Sequence, residues 1–435
     1  MKFLAGPFYL KIFLGPIFIL ITGYNFYIAE STKYESDGDA ASFVGLGVSL
    51  AQHGKYGHLI TEGGLINSFK GNKISEEKLH FANHSTWRPP VWPLIIAGIF
   101  LIFGYQLTYI LIFKFLLHFL GIFIFYRTLK LLKLKEVLVI IGSFLYAISP
   151  AWQIYSRVFL SEPVTFFFIT LWIYLLIRNV QKKSGPIPQG FVGGLLILSH
   201  PYYLFLPFTV WFILFLYRQI KFKSLLITSL LAVAVVSIWI IRNSIVLDTN
   251  SLILTTSSGA VMAKGWNKNV IAEHTNTKGD LANEGLVLED YDFNRNKGYG
   301  EVEMLQLYKD ATIHFINTHP EMVVPIVGKK LVSAFNPFPE TPKPGVLETG
   351  RWMFHLLALV ALIYLLIFSR NKLVLTLAIG LILSTIGITI ITYSGFRFRM
   401  PQAALELLLL VYAINVKVEK LKRENKEYKF KNTMN

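Results

Sequence analysis

Two acids and one arginine define the chemistry open to this chain. Asp37 and Asp39 stand at the head of DAASFVGLGVSLAQHGKY, and Arg88 stands in STWRPPVWP. From Asp39, Phe43, Gly47, Leu50 and Gly54 recur at helical offsets, so the acid opens an amphipathic helix. Gly54 is the stop, with His53 and Lys55 favourable beside the C-terminal dipole. Asp39 then has two readings. Ser36, Asp37 and Asp39 all suit an N-cap, whereas a carboxylate at the head of an interfacial helix can also accept a proton from an incoming hydroxyl. Arg88 is fixed by the two prolines after it. A held guanidinium offers a planar fork to phosphate; the other reading is contact with lipid headgroups.

Further groups fall at the ends of apolar runs. Glu162, in SRVFLSEPV, is an acid at a membrane edge, where burial is costly without a partner or a function. Pro163 after it also makes Glu162 a cap. It and Asp37 are the candidates for a second acid. His84, upstream of Arg88, and His200, in HPYY, are polar-contact candidates; a lone histidine is more often a satisfied polar group. Arg242 follows IWII, and Arg397 and Arg399 lie in FRFRMP. With Arg88 these cations could line a pocket for a phosphodiester or diphosphate, although each alone reads as a snorkelling side chain. No Walker loop, dinucleotide fingerprint or HExxH is present.

These residues must be held by a membrane scaffold. The chain has 435 residues, 53% of them hydrophobic, and a mean hydropathy of +0.50. Apolar runs of spanning length recur along it. The absence of cysteine excludes disulfides and thiolate metal sites. The net charge of +16 does not point to nucleic acid, because the excess lies in short loops and at the C-terminus. Residues 8–28 form a signal-anchor with a cytoplasmic N-terminus. Residues 91–104 are too few to span, and a crossing there would turn every later basic loop outward, so they form an interfacial or re-entrant helix. The expectation is an all-α polytopic membrane protein with about ten transmembrane helices and both termini inside. Interfacial helices fill the first external loop, and a long external segment precedes the last three spans. The divisions are residues 1–242 with the first loop at 29–104, an external segment at 243–351, spans at 352–416 and a basic tail at 417–435. Within the external segment, residues 300–317 have helical spacing. Residues 322–335, carrying Lys329 and Lys330, suit a helix lying on the bilayer.

In five stretches the chain resembles the C-type (GT-C) membrane glycosyltransferases, in particular the dolichyl-phosphate-mannose protein mannosyltransferases and the bacterial lipid A aminoarabinose transferases. They are residues 39–56, WRPPVWPLIIAGIFLIFG at 87–104, FLSEP at 159–163, IWIIRNSIVLDTNSLILTTSSG at 238–259, and FRFRMP at 396–401. THPEMVVPIVGKKL is a weaker sixth. The resemblance implies a hexosyl or pentosyl transferase that moves a sugar from a polyprenyl phosphate to an acceptor hydroxyl with inversion. It implies Asp39 as general base and Arg88, with Arg242, Arg399 and Arg397, around the lipid phosphate. The implied partners are the lipid-linked sugar donor, a glycan, lipid or protein acceptor, and the bilayer, with no nucleic acid. The implied setting is a bacterial cytoplasmic membrane with an outward-facing site. Ala40 stands where many members have a second acid, and Phe43 where tyrosine is usual. Trp87 stands where the aminoarabinose transferases have a metal-binding glutamate, so no cofactor is carried over and a divalent metal is doubtful. Two other readings stay open. A lipid-linked glycan flippase or transporter would need polar groups in mid-span, where Lys114 and His118 are the main candidates. A glycan ligase or polymerase would share the arginine pocket.

Overall fold

The computed structural model describes residues 7–31, 35–61, 64–65, 68–70, 74, 79–271, 284–289, 291, 298–338, 345–393 and 395–434. The first helix, α1 (Pro7–Ser31), leads into a short strand, β1 (Glu35–Asp37), and then α2 (Gly38–His53). Gly38 takes a left-handed φ of +49° between them. Glycine reaches that conformation without steric cost, and the turn places Asp39 in the first turn of α2.

The rest of the first loop carries strands that the all-α expectation missed: β2 (Gly57–Thr61), β3 (Gly64–Leu65), β4 (Ser68–Lys70) and β5 (His80–His84). β2 lies between β3 and β5, and β1 pairs with β4, all antiparallel. These strands are two to five residues long, so alternation gives little signal.

Next comes α3 (Val91–Phe103), whose thirteen residues are too few to span a bilayer. α3 lies against α2. Gly47 makes the approach possible: a Cβ there would fall 2.3 Å from Ile96 Cγ2. Trp92, Ile96 and Phe100 are buried in this contact region, and each large apolar side chain so buried contributes about 1.5–3 kcal/mol. Leu101, Ile102 and Phe103 are exposed at the helix end.

The bundle follows as α4 (Leu107–Leu131), α5 (Glu136–Ala147), α6 (Pro150–Tyr155), α7 (Glu162–Val180), α8 (Pro186–Ser199), α9 (Phe205–Leu216) and α10 (Phe222–Val246). The later segment holds α11 (Ser258–Lys264), α12 (Glu301–Thr318) and α13 (Pro320–Phe335). The chain ends with α14 (Val346–Phe368), α15 (Lys372–Ile391) and α16 (Ala403–Met434). Among the described residues, six stretches are helical, long and apolar enough to cross a membrane; α3 and three others are shorter apolar helices. The helix expected at 300–317 is α12. The polar stretches 272–283 and 292–297 lie outside the described residues.

Polar groups inside the bundle serve as braces. Lys114 Nζ donates to the carbonyls of Tyr155, Ser156 and Val158 at 3.2, 2.7 and 2.6 Å. His118 stacks on Trp152 with centroids 3.9 Å apart and bonds the Ala147 carbonyl. Both of the mid-span groups singled out for a transport path are thus engaged within the fold. Lys330, in the stretch expected to lie on the bilayer, is buried: its ammonium lies 4.3 Å from the Trp266 ring centre and donates to Ile390 O at 2.9 Å. It ties α13 to the last turn of α15, just before the loop that carries Arg397.

Candidate active site

Asp39 comes from the head of α2, Arg88 from the turn before α3, Glu162 from the start of α7, His200 from the end of α8, and Arg397 from the 3₁₀ turn Phe396–Arg399 between α15 and α16. All line one cavity of about 490 Å³. The bundle residues lie at helix ends away from the basic loops: α7 begins at Glu162 and has Arg178 in its last turn.

Each Asp39 oxygen meets a guanidinium. Oδ1 accepts from Arg88 Nη2, and Oδ2 accepts from Arg397 Nη2 at 2.7 Å. Arg397 Nε lies 2.8 Å from Glu162 Oε1. The fork of Arg397 therefore spans both acids, one of them buried. Arg88 is held from beneath by the Phe43 ring at 5.4 Å, and its Nε donates to Ser42 Oγ at 3.4 Å. Tyr56 fixes the turn from the other side, donating to the carbonyls of Arg88 and Pro89 at 3.0 and 3.2 Å.

These charges set protonation. Burial alone would raise the Asp39 pKa; the charges of Arg88 and Arg397 outweigh it, with their hydrogen bonds adding, and hold the carboxyl at about 2. Burial works to lower the Arg397 pKa, but Glu162 and Asp39 reverse this and raise it. His200 is pushed down to about 3, first by burial and then by the Arg397 charge, so its imidazole is neutral. Its Nδ1 accepts from Tyr202 N at 3.4 Å and its ring packs edge-on against Phe398.

The other sequence candidates stand elsewhere. Arg242, expected in the cavity, is not in its described lining. Its guanidinium donates to Ser85 O and Tyr56 O, both at 3.0 Å, and covers the rings of Tyr56 and Trp239. Arg399 is also absent from that lining. It is buried, donates to Asn336 O at 2.8 Å and lies 3.6 Å from Glu406, which His355 and Gln402 also bind. The 3₁₀ turn thus sends Arg397 to the cavity and Arg399 to the core, where it anchors the turn; Tyr203 adds a 2.6 Å bond to Phe398 O. His84 packs against Phe81 with centroids 5.1 Å apart, and its backbone pairs with Gly57. Asp37 lies in β1, opposite Ser68. Arg157, close to Glu162 in sequence, donates instead to Asn25 of α1 at 2.8 Å. Among the described residues, no group of three or more His, Cys, Asp or Glu is arranged to hold a metal.

Glu301 was not singled out from the sequence. It opens α12 and gathers donors from His58, Ser85, Thr86 and Thr256, the shortest at 2.5 Å. These bonds pin α12 to the strand that leads into Arg88. Burial works against the charged form, but the hydrogen bonds keep its pKa below the usual glutamate value. Only its place at the head of a predicted helix marked it in the sequence.

No curated protein matches the chain. A solved structure, ArnT from Cupriavidus metallidurans in the apo state, aligns over 92% of this chain and 76% of its own, at 9% identity and a TM-score of 0.39. So distant a likeness carries no mechanistic weight. Residues 87–241 match the family described as dolichyl-phosphate-mannose-protein mannosyltransferase. The match includes Arg88, Glu162 and His200, while Asp39 and Arg397 lie on either side of it. The resemblance carried by WRPP and FLSEP is thus found again by an independent comparison: over 87–241 the chain is similar to the membrane mannosyltransferases of that family.

Proposed function

We propose that this protein is an integral membrane glycosyltransferase that moves a sugar from a polyprenyl phosphate to an acceptor hydroxyl. The observation that carries the reading is Asp39 held between Arg88 and Arg397 at the wall of a cavity large enough for a sugar and its phosphate. The matched family's description, which couples a lipid-phosphate sugar to a protein acceptor, supports the donor class.

In this reading the donor phosphate draws Arg88 and Arg397 away from Asp39. The acceptor oxygen attacks the anomeric carbon from the face opposite the phosphate. The bond from that carbon to the phosphate oxygen breaks, the bond to the acceptor oxygen forms, and configuration inverts. The acceptor proton passes to Asp39, and the electron pair leaves with the lipid phosphate. Arg88 and Arg397 stabilise the charge growing there, a preorganised electrostatic effect. With so good a leaving group no strong acid is needed, and one carboxylate is enough as base. The positive-inside bias of the loops at 127–135, 178–183 and 370–372 supports an outward-facing site at the opposite helix ends.

The test is to incubate the purified full-length protein in lipid nanodiscs with polyprenyl-phosphate mannose labelled in the sugar. Release of labelled sugar to water or to an added acceptor, with inverted configuration, is the expected result. Transbilayer movement of the intact lipid without cleavage would make the protein a flippase instead.

A further inference from the structure

The helix α12 turns a single face inward. Glu301, Leu305 and Lys309 follow at four-residue steps, which stacks them on one side of a helix. Glu301 is tied to the first loop, Leu305 is buried, and both Leu305 and Lys309 line the cavity. Glu303, Gln306 and Ile313 are exposed on the other side. Lys309 is therefore placed inward, unlike a solvated surface lysine. Lys264, the last residue of α11, lines the same cavity with its ammonium 5.8 Å from the centre of the Tyr393 ring. From there the wall runs through Tyr393 and Phe398 to Arg397.

The charges of the described lining divide unevenly. Arg88 and Arg397 are answered by Asp39 and Glu162. Around the other end, Lys264 and Lys309 share the cavity with a single acid, Glu284. The Lys264–Glu284 pair is loose at 3.6 Å, with side chains 25% and 34% exposed. Lys309 has no hydrogen-bond or ion-pair partner among the described residues. Among the described residues one positive charge is left over at this end, with no carboxylate there to answer it.

We propose that Lys264 and Lys309 form a second anion site, which holds a phosphate or carboxylate group carried by the acceptor. The inference rests on the donor reading above. With the donor phosphate on Arg88 and Arg397, the acceptor must bring its hydroxyl to Asp39 from the remaining part of the cavity, which is the lysine end. An ammonium binds as a point charge, so the site fits a phosphomonoester, a phosphodiester or a carboxylate alike. Leu305, Val261 and Ile391 make the walls there largely apolar, and low polarity strengthens the attraction. A neutral acceptor would cover Lys309 without pairing it, which is unfavourable.

The test uses the full-length protein in detergent, with farnesyl phosphate as the donor-side probe and glycerol 3-phosphate as the acceptor-side probe. Wild type saturated with farnesyl phosphate should still bind glycerol 3-phosphate, and glycerol should not bind. Lys309→Gln or Lys264→Gln should weaken glycerol 3-phosphate by about tenfold or more and leave farnesyl phosphate binding intact. Glu284→Gln should tighten it, a gain that misfolding cannot produce. No saturable binding of glycerol 3-phosphate to wild type would overturn the proposal. So would mutual exclusion of the two probes with both lost in Lys309→Gln, since the lysines would then serve the donor's phosphate. Failure of farnesyl phosphate to bind would sink the donor reading instead, and binding of glycerol 3-phosphate through Lys309 would still uphold the second site.

Discussion

Asp39 and Arg397, 358 residues apart in the chain, meet at 2.7 Å. The loop after the first helix and the last inter-helix turn are joined at this pair, and Glu162 stands behind it as a buried counter-charge. A site assembled from both ends of a chain needs the whole fold in place, and each of its groups answers to a different measurement.

The two arginines at Asp39 are the groups available to a leaving phosphate. Arg88→Gln and Arg397→Gln are each expected to lower kcat by about 10²–10³-fold, the usual loss when one preorganised donor to a developing anion is removed. Arg397→Lys should not restore activity, because one ammonium cannot replace a fork whose Nε meets Glu162 and whose Nη2 meets Asp39. Steady-state turnover with labelled lipid-phosphate sugar checks both.

The pH dependence follows from the same pair. In the empty site Asp39 stays ionised down to about pH 2, because the nearby guanidinium charges outweigh its burial. A carboxyl whose pKa is lowered by folding adds stability above the ordinary carboxylate range and loses it as pH falls through the folded value. When the donor phosphate occupies Arg88 and Arg397, Asp39 loses that support and its pKa rises. The acid limb of kcat, which reports the bound state, should therefore lie at higher pH than the acid limb of kcat/KM, which reports the free enzyme. Paired pH–rate profiles test this; coincident limbs would contradict it.

Much of this was legible in the sequence, for identifiable reasons. Asp39 heads a helix with regular spacing, Arg88 is flagged by two prolines, and Glu162 precedes a helix-starting proline. The choice between Arg397 and Arg399 was not legible. The turn Phe396–Arg399 is too short to have a periodicity, and which side faces the core depends on Asn336 and Glu406. Arg242 looked like a cavity residue because it ends an apolar run, but the carbonyls that occupy it belong to Tyr56 and Ser85, distant in sequence. The strands of the first loop lie in a polar stretch where composition gives no direction to a side chain, and Lys264 and Lys309 reach the cavity through the packing of α11 and α12, which no local pattern reports.

Glu162 is a positioning residue for Arg397. Glu162→Gln removes the buried charge but keeps the shape, and Arg397 keeps Asp39 as its partner. The expected outcome is a fall in kcat of about tenfold with a smaller change in KM for the donor, and partial rescue by Glu162→Asp. A purely structural role would lower the melting temperature without that split between kcat and KM.

Arg242 gives the opposite pattern. Arg242→Ala removes two hydrogen bonds to carbonyls and the cover over Tyr56 and Trp239. A loss of about 1–3 kcal/mol in stability is expected, measured by thermal unfolding in detergent. Donor KM in the fraction that remains folded should be unchanged, because the side chain is spent on the scaffold.

The central claim is that Asp39 takes the acceptor's proton. The most direct measurement is single-turnover sugar transfer by purified Asp39→Asn, alongside binding of farnesyl phosphate to the same sample. Transfer is expected to fall by at least about 10²-fold while the lipid phosphate still binds, since asparagine fills the same space and frees both arginines. Transfer at the wild-type rate would contradict it.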